Sequence, residues 1–364
     1  MKRYVLTIAA CGALLGACAG GSEADAGGGA GGAEAVPVPA STREVRFASA
    51  APDRFEHVGV LQIPAHLEGE ALPAVIFAHG SGPHDRDAAV GGQLAMGFGR
   101  EIALFAELGD ALQAAGFVVL RFDKRSCGPF NGCADNGYEL TLDATIDTFV
   151  QDVEGGLAFL AEQPEVDPQR LFFLGHSKGA TYAPRLLTDH ANVRAGVMLA
   201  GPFRGIDAML RAQAEKLREV MEATGASEAQ IAEVVGPILA TAADLEALRA
   251  GTYELPTLDG LPVAYWESWL RLGDQAPALA AALDRPLLVL SGDYDWNVPP
   301  SETEAWAARF GEGSIHRTAI LPCVTHALNC IAQPDWRRIR ASDIGAHVDP
   351  RVIEAVVEFL LAHR

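Results

Sequence analysis

Apolar runs of strand length alternate along this chain with helical patterns, and that alternation limits what it can fold into more than any other feature. Val45–Ala48, His57–Ile63, Ala74–Ala78, Phe117–Phe122, Leu171–Leu174, Val197–Ala200, Leu287–Leu290 and Ile315–Leu321 read as strands. Several are apolar without interruption, as strands covered on both faces should be. Between them apolar residues recur every three or four positions, as in Leu142, Ile146, Phe149, Val150, Val153, Leu157 and Leu160, and a last helix is expected over Val352 to Leu361. Repeated β-then-α units predict an α/β fold, a mostly parallel, doubly wound sheet with helices on both faces. Its core is expected over 44–202 and 285–364. Residues 203–284 break the pattern with helical spacing and no convincing strand, which predicts a helical cap inserted over one end of the sheet.

The N-terminus carries a different kind of information. Lys2-Arg3, an apolar stretch from Tyr4 to Leu15 and small residues after it read as a bacterial export signal over 1–17, too short for a membrane span. Leu15-Gly16-Ala17-Cys18 has the form of a lipobox, which would make Cys18 a lipidated first residue; an ordinary cleaved signal is the alternative. Residues 18–43, rich in Gly, Ala and Pro, are expected to form a flexible tether. The chain would then be an exported lipoprotein facing periplasm or cell exterior, touching the membrane through its lipid alone. A net charge of −19 argues against nucleic acid and anionic membrane surfaces as partners. Export makes disulfides the expected state of Cys127, Cys133, Cys323 and Cys330. The local pairs 127–133 and 323–330 are favoured over the other connectivities, and metal binding is the weaker reading because neither pair has Cys-x2-Cys spacing.

The stretch "LFFLGHSKGAT" at 171–181 runs a strand into Gly-x-Ser-x-Gly and then into a helix-compatible segment. That context predicts a sharp elbow lifting Ser177 to the carboxyl edge of the sheet, with glycines where a side chain would clash. A serine hydroxyl needs a base, an orienting acid and donors for an oxyanion. After strand Leu287–Leu290 come Asp293 and Asp295, of which Asp295 is the expected acid and Asp293 the alternative, otherwise a turn residue. After the next strand His326 stands between Cys323 and Cys330, ahead of His316 and His347 by chain order and position. The donors are expected from the main chain of Lys178 and of Ser81, with Gly82 the alternative, in "HGSGP" directly after Ala74–Ala78. The Lys178 side chain is expected to pair with a nearby carboxylate rather than to hold substrate. Tyr265, Trp266 and Trp269 read as cap-to-core packing more than as an acyl pocket.

With "HGSGPHDRD" at 79–87, "VVLRFDKRS" at 118–126, "GHSKG" at 175–179, "GDYDWNVPP" at 292–300 and "LPCVTH" at 321–326, the chain resembles the α/β-hydrolase superfamily. It is most similar to the bacterial esterase and serine-aminopeptidase-like branch, related to the dienelactone hydrolases, over most of residues 70–364. The resemblance implies Ser177, Asp295 and His326 as a catalytic triad, a charge-paired loop at Asp85, Arg86 and Asp87, and no metal or organic cofactor. Two departures stand out: a cysteine-bearing loop follows Asp123-Lys-Arg, and a lysine follows the nucleophile where a small or acidic residue is usual. The function expected is a serine hydrolase acting on carboxylic esters. The alternatives are a serine aminopeptidase or acyl-peptidase working on short peptides and, from another class, a non-catalytic surface binding module. Small acyl esters or short peptides are the expected partners.

Overall fold

The computed structural model describes residues 36–90, 102–129, 132–333 and 335–364. The expected leader, Cys18 and the tether as far as residue 35 lie outside the described residues. The tether expected over 18–43 ends sooner than its composition suggests. Pro37–Val38 pairs antiparallel with His66–Leu67, and the main sheet begins at Ser41, because a full ladder from Ser41 opposite Ile63 to Ala48 opposite Glu56 is available to it.

Eight strands form that sheet: β1 Ser41–Ala48, β2 Glu56–Ile63, β3 Leu72–Ala78, β4 Val118–Phe122, β5 Val166–His176, β6 Val193–Leu199, β7 Leu287–Gly292 and β8 Arg317–Leu321. Their spatial order is β8-β7-β6-β5-β3-β4-β2-β1. β3 to β8 run parallel, and β2 is antiparallel to both of its neighbours. All eight expected strands are present, with ends shifted by a few residues, and the architecture is the α/β-hydrolase fold.

The uninterrupted apolar runs have a direct cause. In β5, Leu171 and Phe173 enter one core and Phe172 and Leu174 the other. The first core takes α2 (Ile146–Ala161) and α3 (Ala183–Asp189); the second takes α1 (Leu104–Ala114) and α8 (Pro350–Leu361). Leu142, read as part of the α2 pattern, precedes the helix and is exposed.

Between β6 and β7 lie α4 (Ile206–Ala223), α5 (Glu228–Arg249) and α6 (Val263–Ala282). The segment is not purely helical, as its sequence suggested. A hairpin pairs Thr257–Leu258 with Leu261–Pro262 around Asp259 and Gly260, both at positive φ, and two-residue arms are too short to show strand alternation. The entry to the segment is pinned by α7 (Pro300–Phe310): the fully buried Glu302 accepts from the main-chain N–H groups of Phe203 and Arg204, each at 2.9 Å.

Behind the site, a buried ion network ties α2 to the segment after β4. Arg125 Nε donates to Asp152 Oδ2 at 2.8 Å, a second guanidinium nitrogen meets Asp152 Oδ1, and Nη1 reaches Asp53 at 2.6 Å. His57 Nε2 lies 3.0 Å from Asp152 Oδ1. Burial alone would raise the Asp152 carboxyl; hydrogen bonds from Arg125, then the neighbouring His57 ring, overcome it and hold the group below the ordinary carboxylate range. A depressed folded-state value stabilises the fold above the unfolded carboxylate range, and that stability is lost as pH falls through the depressed value. Arg125→Met should therefore cost about 3 kcal/mol or more at neutral pH, since it strands a buried carboxylate. Asp152→Asn should flatten the acid side of the stability curve. Urea denaturation as a function of pH checks both; a neutral-pH loss within about 1 kcal/mol for Arg125→Met would contradict the reading.

Candidate active site

β5 ends in the predicted elbow. Ser177 holds φ at 55°, left-handed backbone that a non-glycine residue adopts only when its surroundings impose it. The imposing contacts are visible around it. A Cβ on Gly175 would strike the carbonyl of Gly179, and one on Gly179 the carbonyls of Ala78 and His79. Across the turn, a Cβ on Gly80 would come within 3.0 Å of the Ser177 Cβ. The loop after β3 and the elbow after β5 thus touch, because their strands are neighbours in the sheet.

At the end of β7 stands Asp295, fully buried. Its Oδ1 accepts from the main-chain N–H of Val298 at 2.8 Å and its Oδ2 bonds His326 Nδ1 at 2.7 Å. Asp293, the competing acid, is exposed and accepts instead from the main-chain N–H of Cys323 at 2.7 Å. Of the other histidines weighed, His316 accepts from the main-chain N–H of Leu287, and His347 stands exposed beside Glu107. His326 lies in a loop closed by the Cys323–Cys330 disulfide. Cys127 and Cys133 form the second disulfide, so all four sulfurs expected to pair do so locally, and none is a free thiolate for a metal.

Ser177 and His326 line one cavity of about 320 Å³, together with Gly80, Ser81 and Gly82. No hydrogen bond joins the Ser177 hydroxyl to the His326 ring. In unliganded sites such bonds are commonly long and tighten on binding. The opposite wall is apolar, formed by Ile206, Met209 and Leu210 of α4, Leu261 of the hairpin, and Trp266 and Trp269 of α6. The two indoles stack at 5.5 Å, so the aromatic group is packing and cavity wall at once. Gln213 donates to the Asn297 side chain at 3.1 Å, giving this pocket a polar end.

Lys178 does not take the carboxylate partner expected of it. Its side chain is buried, pairs with no carboxylate among the described residues, donates to the Tyr265 hydroxyl at 2.9 Å and lies 4.6 Å from the centre of the Phe149 ring. The structure also brings in residues that sequence reasoning did not assign. His176 donates from Nε2 to the main-chain carbonyl of His326 at 2.8 Å, and its ring sits 4.8 Å from that of His326. Burial first, then the neighbouring His326, holds His176 far below its ordinary range, hence neutral. His84 bonds the Ser81 carbonyl at 2.6 Å and is pushed down to about 4 by burial and Lys124. Lys124, also buried, donates to the carbonyls of Gly80 at 2.7 Å and Gly82 at 2.5 Å; burial and Lys178 drive it well below the usual lysine range. The places of His176 in "GHSKG", His84 in "HGSGPHDRD" and Lys124 in "VVLRFDKRS" carried no signal of these roles beyond membership of the motifs.

Around these loops Arg86 forks onto Asp123, while Asp85 accepts from the main-chain N–H groups of Asp87 and Ala89. Arg204 and Arg211 of the inserted segment are paired, with Glu302 and Glu246.

Comparison with known proteins agrees with this fold. Esterase EstD of Thermotoga maritima is 26% identical over 293 residues, which is 80% of this chain and 62% of that esterase; the chain thus spans less than two thirds of that relative. The α/β hydrolase GrgF from Penicillium sp. sh18 superposes with a TM-score of 0.54 at 15% identity, covering 90% of this chain and 99% of that one. The acylaminoacyl peptidase of Pyrococcus horikoshii does so with 0.52 at 16% identity, covering 90% of this chain and 42% of that one. Likeness at such identities establishes the fold alone. Residues 93–329, well over half of the chain, match the family described as "Serine aminopeptidase, S33". On that match the chain belongs to the serine aminopeptidase family of α/β hydrolases.

Proposed function

We propose that the protein is a serine hydrolase that cleaves carboxylic esters through an acyl-enzyme. One observation carries the reading: the buried Asp295 carboxylate bonded at 2.7 Å to His326 Nδ1, in a ring that faces the same cavity as the elbow serine. The bond fixes the tautomer. With Nδ1 protonated, Nε2 is left as the base that takes the Ser177 proton as Oγ attacks an acyl carbonyl. The oxyanion that forms is received by the main-chain N–H groups of Ser81 and Lys178. His326 returns its proton to the departing alcohol, and water, activated by the same base, releases the acid. Every step uses side-chain and main-chain groups of this chain.

A peptidase reading uses the same machinery. It draws support from the family and from Asp259, the one carboxylate among the described residues lining the cavity, which stands where it would meet a substrate ammonium. Ester cleavage is favoured because the wall built by α4 and α6 is largely apolar and amides demand more leaving-group protonation. A non-catalytic module has no use for a buried acid held against a histidine base. Export as a lipoprotein through Cys18 belongs to the same proposal and is supported by two disulfides, which persist in oxidising compartments.

A panel of p-nitrophenyl esters beside aminoacyl p-nitroanilides tests the reading. Turnover of the esters is expected, abolished in Ser177→Ala and reduced about a thousand-fold or more in kcat for Asp295→Asn. Anilide turnover that exceeds ester turnover and falls in Asp259→Asn would favour the peptidase. Wild-type rates in Ser177→Ala would overturn both.

A further inference from the structure

The described mechanism leaves Lys124 without a task, although it is buried, cationic by type and lies directly beneath the loop that carries Ser81. It makes three bonds to that loop. Its Nζ donates to the carbonyls of Gly80 and Gly82, and its main-chain N–H donates to the carbonyl of His84 at 3.1 Å. No carboxylate takes the Nζ group, so loop carbonyls are its whole set of hydrogen-bond acceptors among the described residues. Lys178 lies against it, both side chains sharing the Phe149 ring, at 5.4 Å for Lys124 and 4.6 Å for Lys178.

The direction of those bonds has a consequence for Ser81. In a trans peptide the C=O and N–H point opposite ways. Pulling the Gly80 carbonyl inward to Lys124 therefore turns the Ser81 N–H outward, to the side on which the cavity lies. The next peptide is held the other way, since the Ser81 carbonyl accepts from His84, which lines the cavity, and this turns the Gly82 N–H away from that wall. The third carbonyl, of Gly82, precedes Pro83, which has no N–H to aim. Bonding a carbonyl to a cationic or strongly polar donor also polarises the attached N–H, so Ser81 gains donor strength as well as direction.

Resting on the serine-hydrolase reading, we propose that Lys124 is a positioning residue for the oxyanion hole: its amine holds the Gly80–Ser81 peptide with the Ser81 N–H aimed at the developing oxyanion. Lys124 does not touch substrate. Its effect appears where the N–H meets negative charge, in the transition state, and not in ground-state binding.

The experiment compares Lys124→Met and Lys124→Gln with wild type in kcat and KM for p-nitrophenyl acetate and in Ki for an aryl trifluoromethyl ketone, a tetrahedral-adduct former. Rates are expressed per active site, counted by end-point labelling with a fluorophosphonate, so a partly unfolded preparation lowers the count and not the rate. For Lys124→Met kcat should fall about 10- to 100-fold, somewhat less than deletion of an oxyanion donor, with KM within about twofold and Ki raised in step with the loss in kcat. Lys124→Gln retains one N–H pair and should lie between Met and wild type. Unchanged kcat and Ki per labelled site in either variant would overturn the proposal, as would a rise in KM without a change in Ki. Failure of the wild-type protein to label at Ser177 would instead defeat the hydrolase reading itself.

Discussion

A carboxylate with no exposure to water is bonded to a histidine, and the candidate site depends on that pair being tenable. A buried charge is costly unless it is paired and hydrogen-bonded. Asp295 meets the requirement with two bonds, one from the main chain of Val298 and one from His326, so the loops after β7 and β8 must meet at a fixed distance. The sheet provides for this: β7 and β8 run side by side, with Gly292 opposite Leu321. Gly292 has no room for a side chain, because the Val324 carbonyl occupies the place of its Cβ. The Cys323–Cys330 disulfide and the bond from the Cys323 N–H to Asp293 then limit how far the histidine loop can move.

The other half of the site obeys the same logic of close backbone approach. Where the loop after β3 presses on the elbow after β5, glycines at 80 and 179 remove the side chains that would separate them, and Gly175 lets the elbow close on itself. The histidines around this contact are held neutral, Lys124 is bonded to carbonyls, and Lys178 is turned away to the Tyr265 hydroxyl. His79 and His176 are held far below their ordinary range, by burial first in each case, and His84 is drawn to about 4. In the proposed reaction a negative charge developing at one oxygen would meet main-chain dipoles already held in place, which is where such dipoles act most strongly.

Much of this was legible in the residue order, and for physical reasons. Strands buried on both faces must be apolar at every position, which is why "LFFL" and "AVIFA" announced themselves, and a strand running into Gly-x-Ser-x-Gly has few other structures open to it. Position beyond a strand pointed to Asp295 with Asp293 as its competitor, and chain order with position set His326 ahead of His347. What could not be read were contacts that depend on side-chain direction across the fold. Lys178 was expected beside a carboxylate, since lysines usually end in water or in ion pairs; the inserted helix α6 buries it against Tyr265 instead. The hold of His176 on the His326 carbonyl spans 150 positions and leaves no periodic trace. The early start of β1 was masked by a Gly- and Pro-rich neighbourhood whose composition says tether even where the backbone pairs.

The central claim is that the hydroxyl of Ser177, the ring of His326 and the carboxylate of Asp295 act as one unit at this sheet edge. A crystal structure of the protein inactivated by an alkyl fluorophosphonate tests it most directly. The account predicts phosphorus bonded to Ser177 Oγ, the phosphoryl oxygen about 3 Å from the N–H groups of Ser81 and Lys178, and His326 Nε2 within hydrogen-bond reach of the serine oxygen. Phosphorus on another residue, or an adduct at Ser177 with His326 turned away and the Asp295 bond broken, would contradict it.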